Sequence, residues 1–120
     1  MLTIRHEQMQ AFETYMARQF EERLSASLRS RFHKKTADLN DEQLRASIRA
    51  GAELAAAYGI TVERDVARFV TLQYRLGAAF DIDPRCPWAG STLRRADLSG
   101  TAKMDALEGH ASNLDVDNWP

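Results

Sequence analysis

The chain is poor in the residues that staple, break or charge a fold. Its 120 residues include one cysteine, Cys86. A lone cysteine has no internal disulfide partner and cannot by itself build a zinc site, which fits a reducing compartment. Net charge of one sign is also missing, with 16 Lys and Arg against 17 Asp and Glu. A balanced chain has no general electrostatic hold on DNA or on an acidic membrane surface. No apolar run approaches the ~18 residues of a membrane span. The opening MLTIRHEQMQ lacks the continuous apolar centre of a secretory signal. The expectation is a cytoplasmic protein with no membrane partner. Signature motifs are missing too: there is no G-x-S-x-G, P-loop, G-x-G-x-x-G or H-E-x-x-H. The chain is therefore expected not to be an enzyme and to need no cofactor or metal.

Proline and glycine are sparse, at three and six residues, and neither occurs in residues 1–50. That uninterrupted stretch carries the strongest pattern in the sequence. Phe12, Met16, Phe20, Leu24, Leu28 and Phe32 recur at every fourth position among polar residues. The spacing predicts one amphipathic helix from about Thr3 to Lys34, roughly 48 Å long. A compact globule of this length is about 35 Å across, so a straight helix would overhang its own domain. Each step of four residues also advances the stripe by ~40°, about 200° over the five steps. One flat surface cannot meet both ends. Either the partner winds around the helix, or a kink divides it, or its two halves face different neighbours. Arg29, Arg31, His33, Lys34 and Lys35 crowd the C-terminal end, where cations favour the helix dipole and where an acidic partner or the acidic C-terminal tail could dock.

At 44% hydrophobic and 28% charged, the chain has enough apolar surface to fold as one domain without staples. A second helix starts at Asn40, with Gln43 at the capping-box spacing and Leu39 and Leu44 at the staple positions. Leu44, Ile48, Ala52, Ala55 and Tyr58 continue its apolar face. Gly51 and the run Ala55-Ala56-Ala57 thin that face enough for a close neighbour. Gly59 is a left-handed stop, with Ile60 folding back. Thr61 is read as the cap of a third helix, whose face is Val62, Val66, Phe69, Val70, Leu72, Gln73 and Leu76. This is the expected centre of the core. Pro84 and Pro87 forbid helix through the loop from Asp81. Short helices are expected at Trp88–Ala96, with Pro87 at the first position, and from Thr101 to about His110. The fold class is all-α: a small helical bundle with one long N-terminal helix, two central helices and one or two short C-terminal helices. Residues 1–111 form the domain, and residues 112–120 a polar, frayed tail unless Trp119 docks.

The chemical candidates are thin. His6, His33 and His110 fall on separate elements with no second ligand at i+3 or i+4, so solvated histidines are the reading. Asp81 and Asp83 lack the glycine and further oxygens of a calcium loop and are read as turn carboxylates. Cys86 has no sequence-local base and is read as a packed thiol. Ala55, Gly59 and Ile60 are similar to the turn of a helix-turn-helix. The helix that would enter DNA, however, carries Glu63 and Asp65 at its leading end, against Arg64, Arg68 and Arg75.

Ile48 to Ala89 reads IRAGAELAAAYGITVERDVARFVTLQYRLGAAFDIDPRCPWA. Its pieces Gly51, Tyr58-Gly59-Ile60, Glu63-Arg64-Asp65-Val66, Leu76-Gly77, Phe80-Asp81, Asp83-Pro84 and Pro87-Trp88-Ala89, with Thr101 to Leu107, carry a resemblance. The last two-thirds of the chain resembles small helical proteins encoded beside toxic effectors and spike proteins in bacterial type VI secretion clusters. Gln73-Tyr74, where a more apolar pair fits the pattern, and Cys86 depart from it. The resemblance implies an adaptor or chaperone that binds a secreted toxin or spike component, with no catalytic residues. Phe12, Met16, Phe20, Leu24, Leu28 and Phe32 are the expected contacts, shared between core and partner. The alternatives are an immunity protein neutralising a cognate toxin, a helix-turn-helix-like DNA-binding regulator, for which the charges argue poorly, and a homodimer in which first helices cover each other.

Overall fold

A computed structural model describes the backbone of residues 6–114 and the side chains of residues 17–114. The elements are α1 (His6–Arg31), α2 (His33–Thr36), α3 (Asp41–Ala57), α4 (Glu63–Leu76), a 3-10 turn (Phe80–Ile82), α5 (Pro87–Leu93) and α6 (Gly100–Ser112). The fold is all-α, with no strand among the described residues. No described helix is long and apolar enough to cross a membrane.

The long first helix forms as its spacing predicts but stops at Arg31. Phe32 leaves the helical region at φ −125°, ψ 55°, which separates α2 from α1. The break turns the Phe32 ring toward Tyr74, with centroids 6.0 Å apart. Arg29 then ties the connection down: its guanidinium donates to the Thr36 and Leu39 carbonyls at 3.1 and 3.0 Å and to Asp41 Oδ1 at 3.0 Å. The expected cationic docking cluster is thus partly spent on holding the α1–α3 corner.

Helix α3 has the ends its sequence announces. Asn40 Oδ1 accepts from the Gln43 N–H at 2.8 Å, and Gln43 Oε1 accepts from the Asn40 N–H at 2.9 Å. At the other end the Ile60 and Gly59 N–H groups donate to the Ala55 and Ala56 carbonyls, each at 2.9 Å. That Schellman arrangement needs the left-handed residue, Gly59 at φ 80°. Gly51 lets α4 approach: a Cβ there would stand 2.8 Å from Val70 Cγ2 and would also collide with the Gln73 amide.

Helix α4 is the centre of the core. It buries Val66, Phe69, Val70, Leu72 and Leu76, and Phe69 meets Phe80 at 5.2 Å between ring centroids. Its start differs from the expectation. The N-cap is Val62, not Thr61, and no side chain caps it. Val62 is 59% exposed and contributes nothing to the core. The Schellman turn at Gly59 and Ile60 delays the helix by one residue, which carries Val62 off the buried face. Helix α6 begins with Ser99, whose Oγ accepts from the Ala102 N–H at 3.1 Å. It runs through Ser112, two residues past the expected end, and Leu114 then packs against the core. Helix α5 takes Pro87 at its first position but ends at Leu93, three residues early.

The helix directions follow from the cross-links. Arg29 meets Asp41 and Glu21 meets Arg49, so α1 and α3 are antiparallel. Arg23 meets Glu63, and Asp65, Arg68 and Arg75 meet Thr101, Asp105 and Ala111. Helices α1, α4 and α6 therefore run in one direction. The radius of gyration is 15.8 Å and the longest extent 56 Å, beyond the ~14 Å and about 35 Å of a compact chain of this length.

Candidate partner-binding surface

The apolar stripe of α1 divides along its length. Leu28 is fully buried and Leu24 is 6% exposed; both belong to the core with α3 and α4. Phe20 and Phe32 are half-buried at its edges. Phe12 and Met16 lie within α1, and their side chains fall outside the described residues, as does that of His6. The division has a geometric cause. The Arg23–Glu63 ion pair, 3.5 Å long, puts the first residue of α4 beside Arg23. The two helices run the same way, so the part of α1 from His6 to Arg23, about 25 Å at 1.5 Å per residue, precedes the start of α4. Ala17 and Arg18 are exposed there.

Where α1 does meet α4, the seam is open. A cleft of about 360 Å³ lies between Phe20, Arg23 and Leu24 on one side and Glu63, Arg64 and Ala67 on the other. It continues, through the shared residues Leu24, Ser27 and Ala67, into a second cleft of about 430 Å³. There α4 forms the floor with Thr71 and Leu72. Arg31 of α1 and Glu108 and Ser112 of α6 form the walls, and Arg75 stands at one end. Ser27, Ala67 and Thr71 contribute small side chains to the lining.

One wall is held rigid by charge. Arg68, largely buried, pairs with Asp65 at 2.9 Å and with Asp105 and Glu108 at 2.7 Å each. Glu108, Asp105 and Asp65 together hold its guanidinium protonated, well above the ordinary arginine value. Asp65 is itself buried and accepts from the Thr101 hydroxyl at 2.5 Å. That bond, with Arg68, keeps its carboxyl below the ordinary range. A long-range polar network of this kind has no local sequence signal, because its members lie on two helices far apart in the chain.

The remaining candidates resolve into structural roles. Asp83 accepts from the Arg85 N–H at 2.8 Å and from its guanidinium, as a turn carboxylate does. Asp81 differs from that expectation: it is buried and accepts from the Tyr58 hydroxyl at 2.7 Å, and burial together with this carboxylate raises the Tyr58 pKa. Cys86 is buried and donates to the Phe80 carbonyl at 3.3 Å. Burial raises its pKa, which leaves an unreactive thiol. His33 and His110 are exposed, and His110 stacks on Trp88 at 5.0 Å. Among the described residues no group of three or more His, Cys, Asp or Glu is placed to hold a metal. Gln73 and Tyr74 are occupied within the fold: Gln73 Nε2 donates to the Ala78 carbonyl at 3.0 Å, and the Tyr74 and Ser47 hydroxyls lie 2.6 Å apart.

Two capping contacts carry no local sequence signal. Lys35 Nζ donates to the Tyr74 and Arg75 carbonyls at 2.5 and 3.3 Å. Lys103 Nζ, on a residue 7% exposed, donates to the Tyr58 carbonyl at 2.7 Å. Each places a cation on the C-terminal end of another helix, where the dipole and the unpaired carbonyls favour it. Comparison of the chain with family models, curated proteins and solved structures gave no match.

Proposed function

We propose that the protein is a non-catalytic, cytoplasmic helper that binds a secreted toxin or spike component as an adaptor or chaperone. One observation carries the reading: α1 begins about 25 Å before α4 does, and that segment bears Met9, Phe12, Tyr15 and Met16 in its sequence. A helix that carries apolar residues past the start of α4 suits helix-in-groove binding, with Phe12, Met16 and Phe20 as anchors. Leu24 and Leu28 support the surface from within, and Phe32 shapes the far corner. The toxin or spike identity of the partner rests on the sequence resemblance of residues 48–107. Against DNA reading, α4 is packed by α1, α3 and α6, and Arg68 is saturated by three carboxylates. Affinity capture of the tagged chain from its native cells, together with the products of neighbouring genes, tests the proposal. The expected result is co-purification of a toxin or spike protein that Phe12→Glu and Met16→Glu abolish while the far-UV spectrum is kept. Absence of such a protein, or rescue of cells from the toxin without any effect on its delivery, refutes it. The second result would instead mark an immunity protein.

A further inference from the structure

The trough over α4 is lined to receive side chains and offers nothing to a backbone. Its lining is apolar at Leu24, Ala67 and Leu72. Clefts of about 360 and 430 Å³ take side chains but not a whole helix, so the backbone of an occupant must ride above them. Its amide groups would find no partners there, because the walls are helices whose own N–H and C=O groups are bonded internally. A helix satisfies its backbone by itself; an extended segment does not. The charges narrow the occupant further. Both carboxylates of the lining are engaged: Glu63 faces Arg23 at 3.5 Å, and Glu108 holds Arg68 at 2.7 Å. Guanidiniums are in excess. Arg31 and Arg64 are exposed and have no hydrogen-bond or ion-pair partner among the described residues, and Arg75 donates to the Ala111 carbonyl at 3.2 Å. Arg64 lies toward one end of the trough, Arg31 and Arg75 toward the other. Arg64 and Arg75 are three turns apart on α4, about 16 Å. Between them the α6 wall is acidic, because Asp65, Asp105 and Glu108 share one arginine.

We infer that the trough receives an amphipathic helix of a partner protein, about three turns long, with an apolar stripe in the clefts and a carboxylate at each end of the stripe. One carboxylate meets Arg64, and the other meets Arg31 and Arg75. Each gains charge-assisted hydrogen bonds from a guanidinium fork, and the stripe removes apolar lining from water. A helix with basic ends would bring its cations against arginines that have no carboxylate to spare. The middle of the occupant carries no acid on the side of α6, where Asp105 and Glu108 would repel it. The inference rests on the helper reading in taking the partner to be a protein. It adds a receiving surface separate from the first half of α1.

Two synthetic fourteen-residue helices test this on the full chain. Both carry leucines at their fourth, eighth and eleventh positions in a background of alanine and glutamine. One has glutamates at its first and twelfth positions, and the other has lysines there. Fluorescence anisotropy should show the glutamate helix binding about tenfold more tightly than the lysine helix. The amide resonances of Ser27, Ala67 and Thr71 should shift as it binds. Arg31→Glu combined with Arg64→Glu should reverse the preference, and because both residues are exposed the far-UV spectrum should be unchanged. Absence of binding overturns the proposal, as do equal binding of the two helices, a preference that survives the double variant, and amide shifts confined to other faces. A dimeric mass that becomes monomeric in the double variant also overturns it, because the occupant would then be a second copy. Capture from native cells separates this proposal from the helper reading. A toxin or spike protein held equally by the wild type and the double variant leaves the helper reading standing and overturns the trough as its site.

Discussion

Leu28 and Phe20 stand two turns apart on the same stripe of α1, and the structure buries them to different degrees. Leu28 is fully enclosed; replacing it with Ala removes three buried carbons and leaves a cavity among residues that cannot fully collapse. Such substitutions cost about 2–5 kcal/mol, and a site with no exposure belongs near the middle of that range, about 3 kcal/mol. Phe20 is half-buried at the edge of a cleft open to solvent. Its truncation enlarges an existing cleft and opens no sealed cavity, so the cost should be about 1 kcal/mol. With a urea slope of about 2 kcal/mol per molar, Leu28→Ala should lower the unfolding midpoint by about 1.5 M, and Phe20→Ala by about 0.5 M. Binding of the partner should respond in the reverse order once the Leu28→Ala protein is compared under conditions where it is fully folded. Equal midpoints for the two variants, or a Leu28→Ala loss below about 1 kcal/mol, would refute the division of the stripe into a core half and a partner half.

Gly51→Ala should destabilise by about 1–3 kcal/mol through overlap with Val70, read as a lower midpoint in thermal unfolding. An unchanged midpoint would mean that α3 and α4 can separate freely. Lys103→Met keeps the apolar stem but leaves the Tyr58 carbonyl without its donor, so a loss of about 1–2 kcal/mol is expected in denaturant titration. The folded pKa of Asp65 lies below its unfolded value, chiefly through the Thr101 hydroxyl and Arg68. Its contribution is therefore complete above the unfolded carboxylate value of about 3.9 and is lost as pH falls through the lower folded value. Asp65→Asn should flatten that part of the acid-stability profile, and an unchanged slope below pH ~4 would count against the network.

Much of the fold was legible because its signals are local. The Asn40–Gln43 capping box and the Gly59–Ile60 stop each depend on a few consecutive residues, and backbone geometry at a helix end leaves few other solutions. The fourfold spacing of α1 and the apolar face of α4 follow from the helical period alone. The start of α4 departs from its local signal because two local rules compete there. Thr61 is a good cap by type, but the Schellman turn before it consumed one more residue, and Val62 took the position.

The sequence by itself determined that the chain is helical, where α3 stops, and that α1 carries more apolar stripe than one surface can cover. Only the tertiary structure decided which half of that stripe is core. The Arg23–Glu63 contact sets where α4 begins along α1, and before that point α1 keeps α3 beside it, through Glu21 and Glu22, but not α4. The same holds for Lys35 on Tyr74, Lys103 on Tyr58 and Asp65 on Thr101. These partners are 36 to 45 residues apart in the chain, and polar side chains on a helix surface carry no periodic mark of a partner. The packing of the apolar faces brings them together, and only afterwards does each find a carbonyl or carboxylate within reach.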